Sequence, residues 1–281
     1  MAELYEKVPG LVSLLKLQNV IVLLTAQLLM AHFLYDRGPL WDLLIRHKFV
    51  FLLLATGSAI SGGYIINHFY HLKRDWINRP LQTDREQKLS VSKQLYLYFF
   101  LNFLTLLFAA FISWRAVLFF AVYVFLIWLY FHKLHSRVYW RETFLTFLTV
   151  YPFFGVMLFF RRWNVFVVLI GLLFALLIML KELIKNHLTL RGDVAQNIRT
   201  VLAVKGEAFQ QKMFVLISAG VGLLTFLLFR MDLSVKFRIF LGFFVLLMIA
   251  EIFLYLHAKY REAYGLIKMI IISGLFALFL L

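Results

Sequence analysis

The chain has 281 residues, of which 63% are hydrophobic and only 15% charged, with mean hydropathy +0.86. That balance excludes a soluble domain built around one core and makes the bilayer part of the solvent. The absence of cysteine excludes a disulfide framework, a thiolate nucleophile and a Cys-ligated metal site, and the formal charge of +15 is read as membrane topology, with no nucleic-acid partner expected.

Apolar runs long enough to cross about 30 Å of hydrocarbon predict helical spans near 12–33, 48–70, 93–113, 116–132, 143–160, 163–181, 213–229, 237–257 and 264–281. The expected fold is an all-α, polytopic membrane bundle of about nine transmembrane helices, a single domain over 1–281. The first run follows Lys7 and Lys16 but is not followed by a small-x-small cleavage site, so it is expected to be a retained span.

Segments 71–92, 133–142, 182–212 and 258–263 share a side with the N-terminus, and that side carries Lys and Arg in an excess of about two to one. The positive-inside rule then predicts a cytoplasmic N-terminus and cytoplasmic long segments, with the C-terminus outside. The 32 Phe are expected mainly on lipid-facing surface, the other reading being an apolar tunnel for a long hydrocarbon.

Function is expected in two long polar loops, about 67–92 and 182–212, because the connections on the far side are short. If the helix of the second span continues to about Trp76, His68, His71 and Asp75 fall at i, i+3 and i+7 on one face. Asn186, Thr189 and Asp193 repeat that stripe after the sixth span. Glu251, near a span end, is expected to pair with a basic side chain, and Glu142 has no assigned role.

At these two stretches the sequence resembles the UbiA superfamily of intramembrane prenyltransferases. The family's first motif reads roughly G-Y-x-x-N-D-x-x-D-x-x-x-D-x-x-N-x-P, and Gly63, Tyr64, Asn67, Asp75, Asn78 and Pro80 match it. The second is similar to K-D-x-x-D-x-x-x-D followed by a stretch like G-I-R-T, matched by Lys185, Gly192, Asp193, Ile198, Arg199 and Thr200. Tyr130 and Lys133 look like a blurred third motif, a Tyr followed by basic residues.

The resemblance implies a UbiA-like fold and transfer of an isoprenoid chain from its diphosphate to a lipophilic acceptor. It also implies Mg²⁺ held by the first two Asp of each motif and bridging to the diphosphate. Here those four positions are His68, His71, Asn186 and Thr189, poor replacements for carboxylates toward Mg²⁺. Only the third Asp of each motif, Asp75 and Asp193, remains as a catalytic candidate.

Four neutral side chains without metal carry the same net charge as four carboxylates with two Mg²⁺, so an anionic head group would meet a similar net field. Asn67, His68, His71, Lys73, Arg74, Asn78, Arg79, Tyr130, Lys133, Lys185, Asn186, Thr189, Arg191 and Arg199 are the expected substrate-binding residues.

Three readings stay open. The first is a divergent prenyltransferase with no assigned cofactor. The second is a non-catalytic relative that binds membrane lipid, an isoprenoid diphosphate or a polyprenyl phosphate, or that serves as a subunit beside a protein partner. The third takes His68, His71 and Asp75, with His187, as a transition-metal site.

Overall fold

The computed structural model describes residues 13–36, 38–78, 80–86 and 90–281. Lys7 and Arg79 lie outside the described residues. The described residues contain no strand and nine helices long and apolar enough to cross a membrane. In lipid every backbone N–H and C=O must find a partner within the protein, which leaves helices as the form these apolar runs can take.

The spans are α1 (Leu17–Ala31, extended by a π turn His32–Asp36), α3 (His47–Asn78), α5 (Val91–Ala110), α6 (Trp114–Leu129, extended by a π turn Tyr130–Leu134), α7 (Trp140–Phe160), α8 (Val165–Ala195), α10 (Glu207–Phe229), α11 (Val235–Leu256) and α12 (Tyr260–Phe276). Between them lie the short helices α2 (Leu40–Ile45), α4 (Pro80–Glu86) and α9 (Val201–Lys205).

The nine expected spans are all present in order, and the differences lie at two helix ends. The polar stretches assigned to loops 67–92 and 182–212 are helical as far as Asn78 and Ala195, so both stripes sit on rigid extensions of α3 and α8. Hydropathy marks where the hydrocarbon ends, whereas the helix ladder continues as long as neighbouring helices bury its side chains.

Those two helices form the centre of the bundle. The most apolar windows of α3 and α8 are each 56% buried, against 22% for α5. α3 packs against α1, α5, α6 and α8, while α8 packs against α7, α9, α10 and α12, and α12 reaches α1 to close the ring. Phe99, Phe100, Phe103, Phe125, Phe226 and Phe243 are among the exposed side chains, the lipid-facing placement expected for much of the Phe content.

Local devices complete the backbone bonding. Ser113, Asn164 and Ser234 cap α6, α8 and α11 by accepting from the N–H groups of Ala116, Phe166 and Phe237. Pro152 inside α7 has no N–H to offer the carbonyl four residues back, Leu148. The Tyr123 hydroxyl from α6 donates to that carbonyl at 3.0 Å, and Gln27 Nε2 from α1 donates to the Pro152 carbonyl at 2.7 Å.

Candidate functional site

Where the extended ends of α3 and α8 meet the start of α7, charged side chains are buried together. Asp75, Asp193, Glu142, Arg74 and Arg141 are at most 7% exposed. Isolated charges at such depth would be prohibitively costly, so the arrangement has to be read as a network.

Arg74 donates to Asp75 Oδ1 through Nε at 3.2 Å and Nη2 at 3.1 Å, and its Nη1 lies 3.8 Å from Asp193 Oδ1. Arg141 approaches the same Asp193 oxygen at 3.8 Å and Glu142 Oε1 at 3.9 Å, and donates to Asn186 Oδ1 at 3.4 Å. Two guanidinium groups therefore lie among three carboxylates.

Of the four positions compared with motif Asp in the sequence, Asn186 and Thr189 bond into this network. Asn186 donates to Glu142 Oε1 at 3.0 Å and to Gln210 Oε1 at 3.4 Å, while the Thr189 hydroxyl donates to Asp193 Oδ2 at 2.7 Å. His68 and His71 are both buried on the Asp75 face of α3. The His71 ring lies edge-on to His135 at 5.1 Å between centroids. Burial lowers the pKa of His135, and Arg141 lowers it further.

Asn78 ties the two helix ends together by donating to the Thr189 carbonyl at 3.3 Å and accepting from Gly192 N–H at 3.2 Å. A Cβ at Gly192 would lie 2.4 Å from Asn78 Nδ2, so only glycine admits this approach.

A second group of charges, part-buried to exposed, gathers around Glu182 on α8. Lys181 and Lys185 lie 3.2 and 3.0 Å from the two oxygens of Glu182. Lys16 Nζ sits 5.1 Å above the Tyr64 ring, and Lys268 Nζ 4.2 Å above the Tyr264 ring. Both tyrosines are within electrostatic reach of Glu182, and Lys268 of Lys181. Among the described residues, Lys181 and Lys185 thus pair with Glu182, and Lys16 and Lys268 sit over tyrosines within its reach.

Of the residues expected to bind substrate, His68, His71, Arg74, Asn186 and Thr189 come together with the two Asp. Tyr130 is buried within electrostatic reach of Arg141 and Glu142. Asn67 is half-buried on α3, and Lys185 belongs to the lysine group. Lys73, Lys133, Arg191 and Arg199 are exposed at this end of the bundle, and among the described residues none has an ion pair with the buried network. Asn78 serves as the helix tie described above.

The transition-metal grouping is corrected. His187 stacks on Tyr260 at 3.7 Å and bonds the Tyr255 hydroxyl at 3.2 Å, and among the described residues no three His, Asp or Glu are grouped to hold a metal ion. Mg²⁺ fits this donor set poorly as well, because Asp75 and Asp193 already face guanidinium groups that would repel it. Glu251, expected to pair with a basic side chain, is fully buried in α11 with no such partner among the described residues.

Sequence reasoning missed Arg141, Glu142, Gln210 and the roles of Lys181 and Glu182. The available signal was an Arg-Glu pair on the first turn of a span otherwise rich in apolar residues, since charges there are seldom left facing lipid.

The fold and site define an integral multi-pass membrane protein with a buried polar centre at one end of a helical bundle. A family model of the UbiA prenyltransferase family matches residues 20–273. The chain belongs to that family.

Among solved structures, the digeranylgeranylglyceryl phosphate synthase structure aligns with TM-score 0.73 at 18% identity, covering 97% of each chain. A UbiA homologue from Archaeoglobus fulgidus, bound to GPP and Mg²⁺, aligns with TM-score 0.71 at 14% identity over 96% of this chain and 99% of its own. The apo UbiA homologue from Aeropyrum pernix K1 gives 0.71 at 14% identity over 90% and 96%. At these identities the likeness establishes the fold. No curated protein sequence matches.

Proposed function

We propose that this protein binds an isoprenoid phosphate or diphosphate from the membrane without Mg²⁺, with the head group at the cytoplasmic end of the bundle. The observation that carries the metal-free part of this reading is the pair Arg74 and Arg141, permanent cations set among Asp75, Asp193 and Glu142, and the anion is left to the neighbouring lysines.

In this reading the surviving carboxylates position guanidinium groups and are not free to act as bases or metal ligands. That makes Asp75 and Asp193 positioning residues. Lys181, Lys185, Lys16 and Lys268 supply ammonium groups for the phosphate, with Lys73, Arg191, Arg199 and Lys133 drawing the anion from the cytoplasmic side. The excess of basic residues at this end supports its cytoplasmic orientation.

The same four ammonium groups would stabilise a departing diphosphate, which favours a second reading as a metal-independent prenyltransferase. Purified protein incubated with prenyl diphosphates of several lengths, with and without Mg²⁺ and EDTA, separates the two. Saturable binding unaffected by EDTA and without pyrophosphate release supports the binder, and EDTA-insensitive release supports the transferase. Binding or turnover that requires Mg²⁺ overturns both.

A further inference from the structure

At the end of the bundle opposite the motif helices, the start of α3, the start of α6 and the end of α7 enclose a cavity of about 250 Å³. Its floor is apolar, built from Leu52, Phe120 and neighbouring side chains, and three cations line it: Lys48, Arg115 and Arg161. No acidic residue lines it.

On this face Arg46 is paired with Asp36 at 3.2 Å and Arg238 with Asp232 at 3.7 Å; Lys48, Arg115 and Arg161, like Arg162, Arg230 and Lys236, have no ion pair among the described residues, and what sets the three apart is that they line one cavity. Basic residues are sparse on this side of the chain, and three of them converge on one hollow.

Two further features open and aim the site. Gly155 borders the cavity, and a Cβ there would meet Phe119 at 3.2 Å. Arg161 ends α7 in the left-handed conformation, with φ +54°, a place where glycine is usual and a branched or long side chain is strained. The strain is retained with the guanidinium at the cavity wall.

Depth identifies the ligand. Trp114 and Trp163, 72% and 81% exposed, flank Arg115 and Arg161 and mark the membrane–water interface. The hollow therefore lies at the level of lipid head groups. Its volume is just below the roughly 300–1,000 Å³ of sites that enclose a whole drug-sized ligand, so it suits a head group whose chains stay in the bilayer.

We infer that the cavity bounded by Lys48, Arg115, Gly155 and Arg161 is a binding site for the phosphate head group of an anionic phospholipid, separate from the isoprenoid site at the other end. The phosphate takes the three cations, and the glycerol backbone and upper chain rest on the apolar floor.

The test is lipid retention by full-length protein, read by native mass spectrometry after transfer from nanodiscs of phosphatidylcholine containing phosphatidylglycerol. The expected result is one retained phosphatidylglycerol, preferred over phosphatidylcholine. The triple variant Lys48→Gln/Arg115→Gln/Arg161→Gln weakens retention on the order of a hundredfold, since each cation near an anionic head group contributes about fivefold.

Arg161→Gly is the variant that keeps the fold, because glycine relieves the left-handed backbone: Tm stays equal or rises while retention falls about fivefold. Arg238→Gln, at a paired cation away from the cavity, leaves retention unchanged. Equal retention of the two lipids, unchanged retention in Arg161→Gly and the triple variant, or an equal loss in Arg238→Gln would each overturn the site. Inorganic phosphate separates a lipid head group from a free anion. Millimolar phosphate leaves the bound lipid in place because the chains hold the head group at high effective concentration, and displacement by phosphate would overturn the lipid assignment.

Discussion

Arg74 and Arg141, from helices α3 and α7, both approach the same oxygen of Asp193, each at 3.8 Å. One carboxylate therefore holds together two cations that would otherwise repel each other in a buried setting.

Asp193→Asn should be the more damaging of the two carboxylate substitutions. It removes the shared counter-ion and costs about 3–5 kcal/mol. Asp75→Asn should cost less, because Arg74 keeps Asp193. Unfolding of the two variants in mixed micelles tests the order, and a larger loss for Asp75→Asn would contradict the shared-carboxylate arrangement.

Returning Asp to positions 68, 71, 186 and 189 should create a measurable heat of Mg²⁺ binding, because four added carboxylates exceed the charge that Arg74 and Arg141 can neutralise. Adding Arg74→Gln should tighten that binding further. Calorimetry showing no Mg²⁺ heat in either variant would mean that the two helix ends do not face each other as described.

Gly192→Ala should destabilise by about 1–3 kcal/mol through overpacking against Asn78. Asn78→Ser should relieve much of the clash, so the double variant should lose less than the sum of the singles. Additive losses in a double-mutant cycle would count against the contact.

Tyr123→Phe should cost about 1–3 kcal/mol by leaving the buried Leu148 carbonyl unsatisfied. Pro152→Ala in the same chain should recover part of it, since alanine at that position supplies the N–H that proline lacks. Thermal denaturation of the three variants decides the matter, with no recovery in the double as the contrary outcome.

Acidification should destabilise the protein through His135. Its pKa is lowered on folding, so the unfolded chain binds the proton more readily and stability falls as pH drops below the unfolded value of about 6.5. The loss continues down to the folded pKa and then levels off. The groups facing His135 are His71, Tyr70, Arg141 and Arg74. His135→Gln should flatten the dependence of Tm on pH between 7.5 and 5, and an unchanged slope would remove His135 as its source.

Much of the fold was legible because a span announces itself locally. A run of apolar residues has one solvent and one hydrogen-bonding solution available to it, so the nine spans and their order could be read directly. The spacing of His68, His71 and Asp75 was legible for a similar reason, since helical periodicity fixes which side chains share a face. What periodicity did not show was how far the helices run past the hydrocarbon, to Asn78 and Ala195 in stretches whose polar composition suggested loop. There the partners that bury the polar side chains come from other helices, which no local pattern records.

Sequence by itself determined the membrane class, the order of the spans, the family and the replacement of four motif carboxylates, because each is carried by composition or by residues at fixed spacing. Only the tertiary structure decided what became of the positions left behind. Arg141 and Glu142 are far from both motifs in the chain, yet they enter the space between α3 and α8, where Asn186 and Thr189 bond into their network. Whether a carboxylate faces a metal, a base or a guanidinium depends on which cation the packing brings within a few ångströms, and that is a property of helix docking.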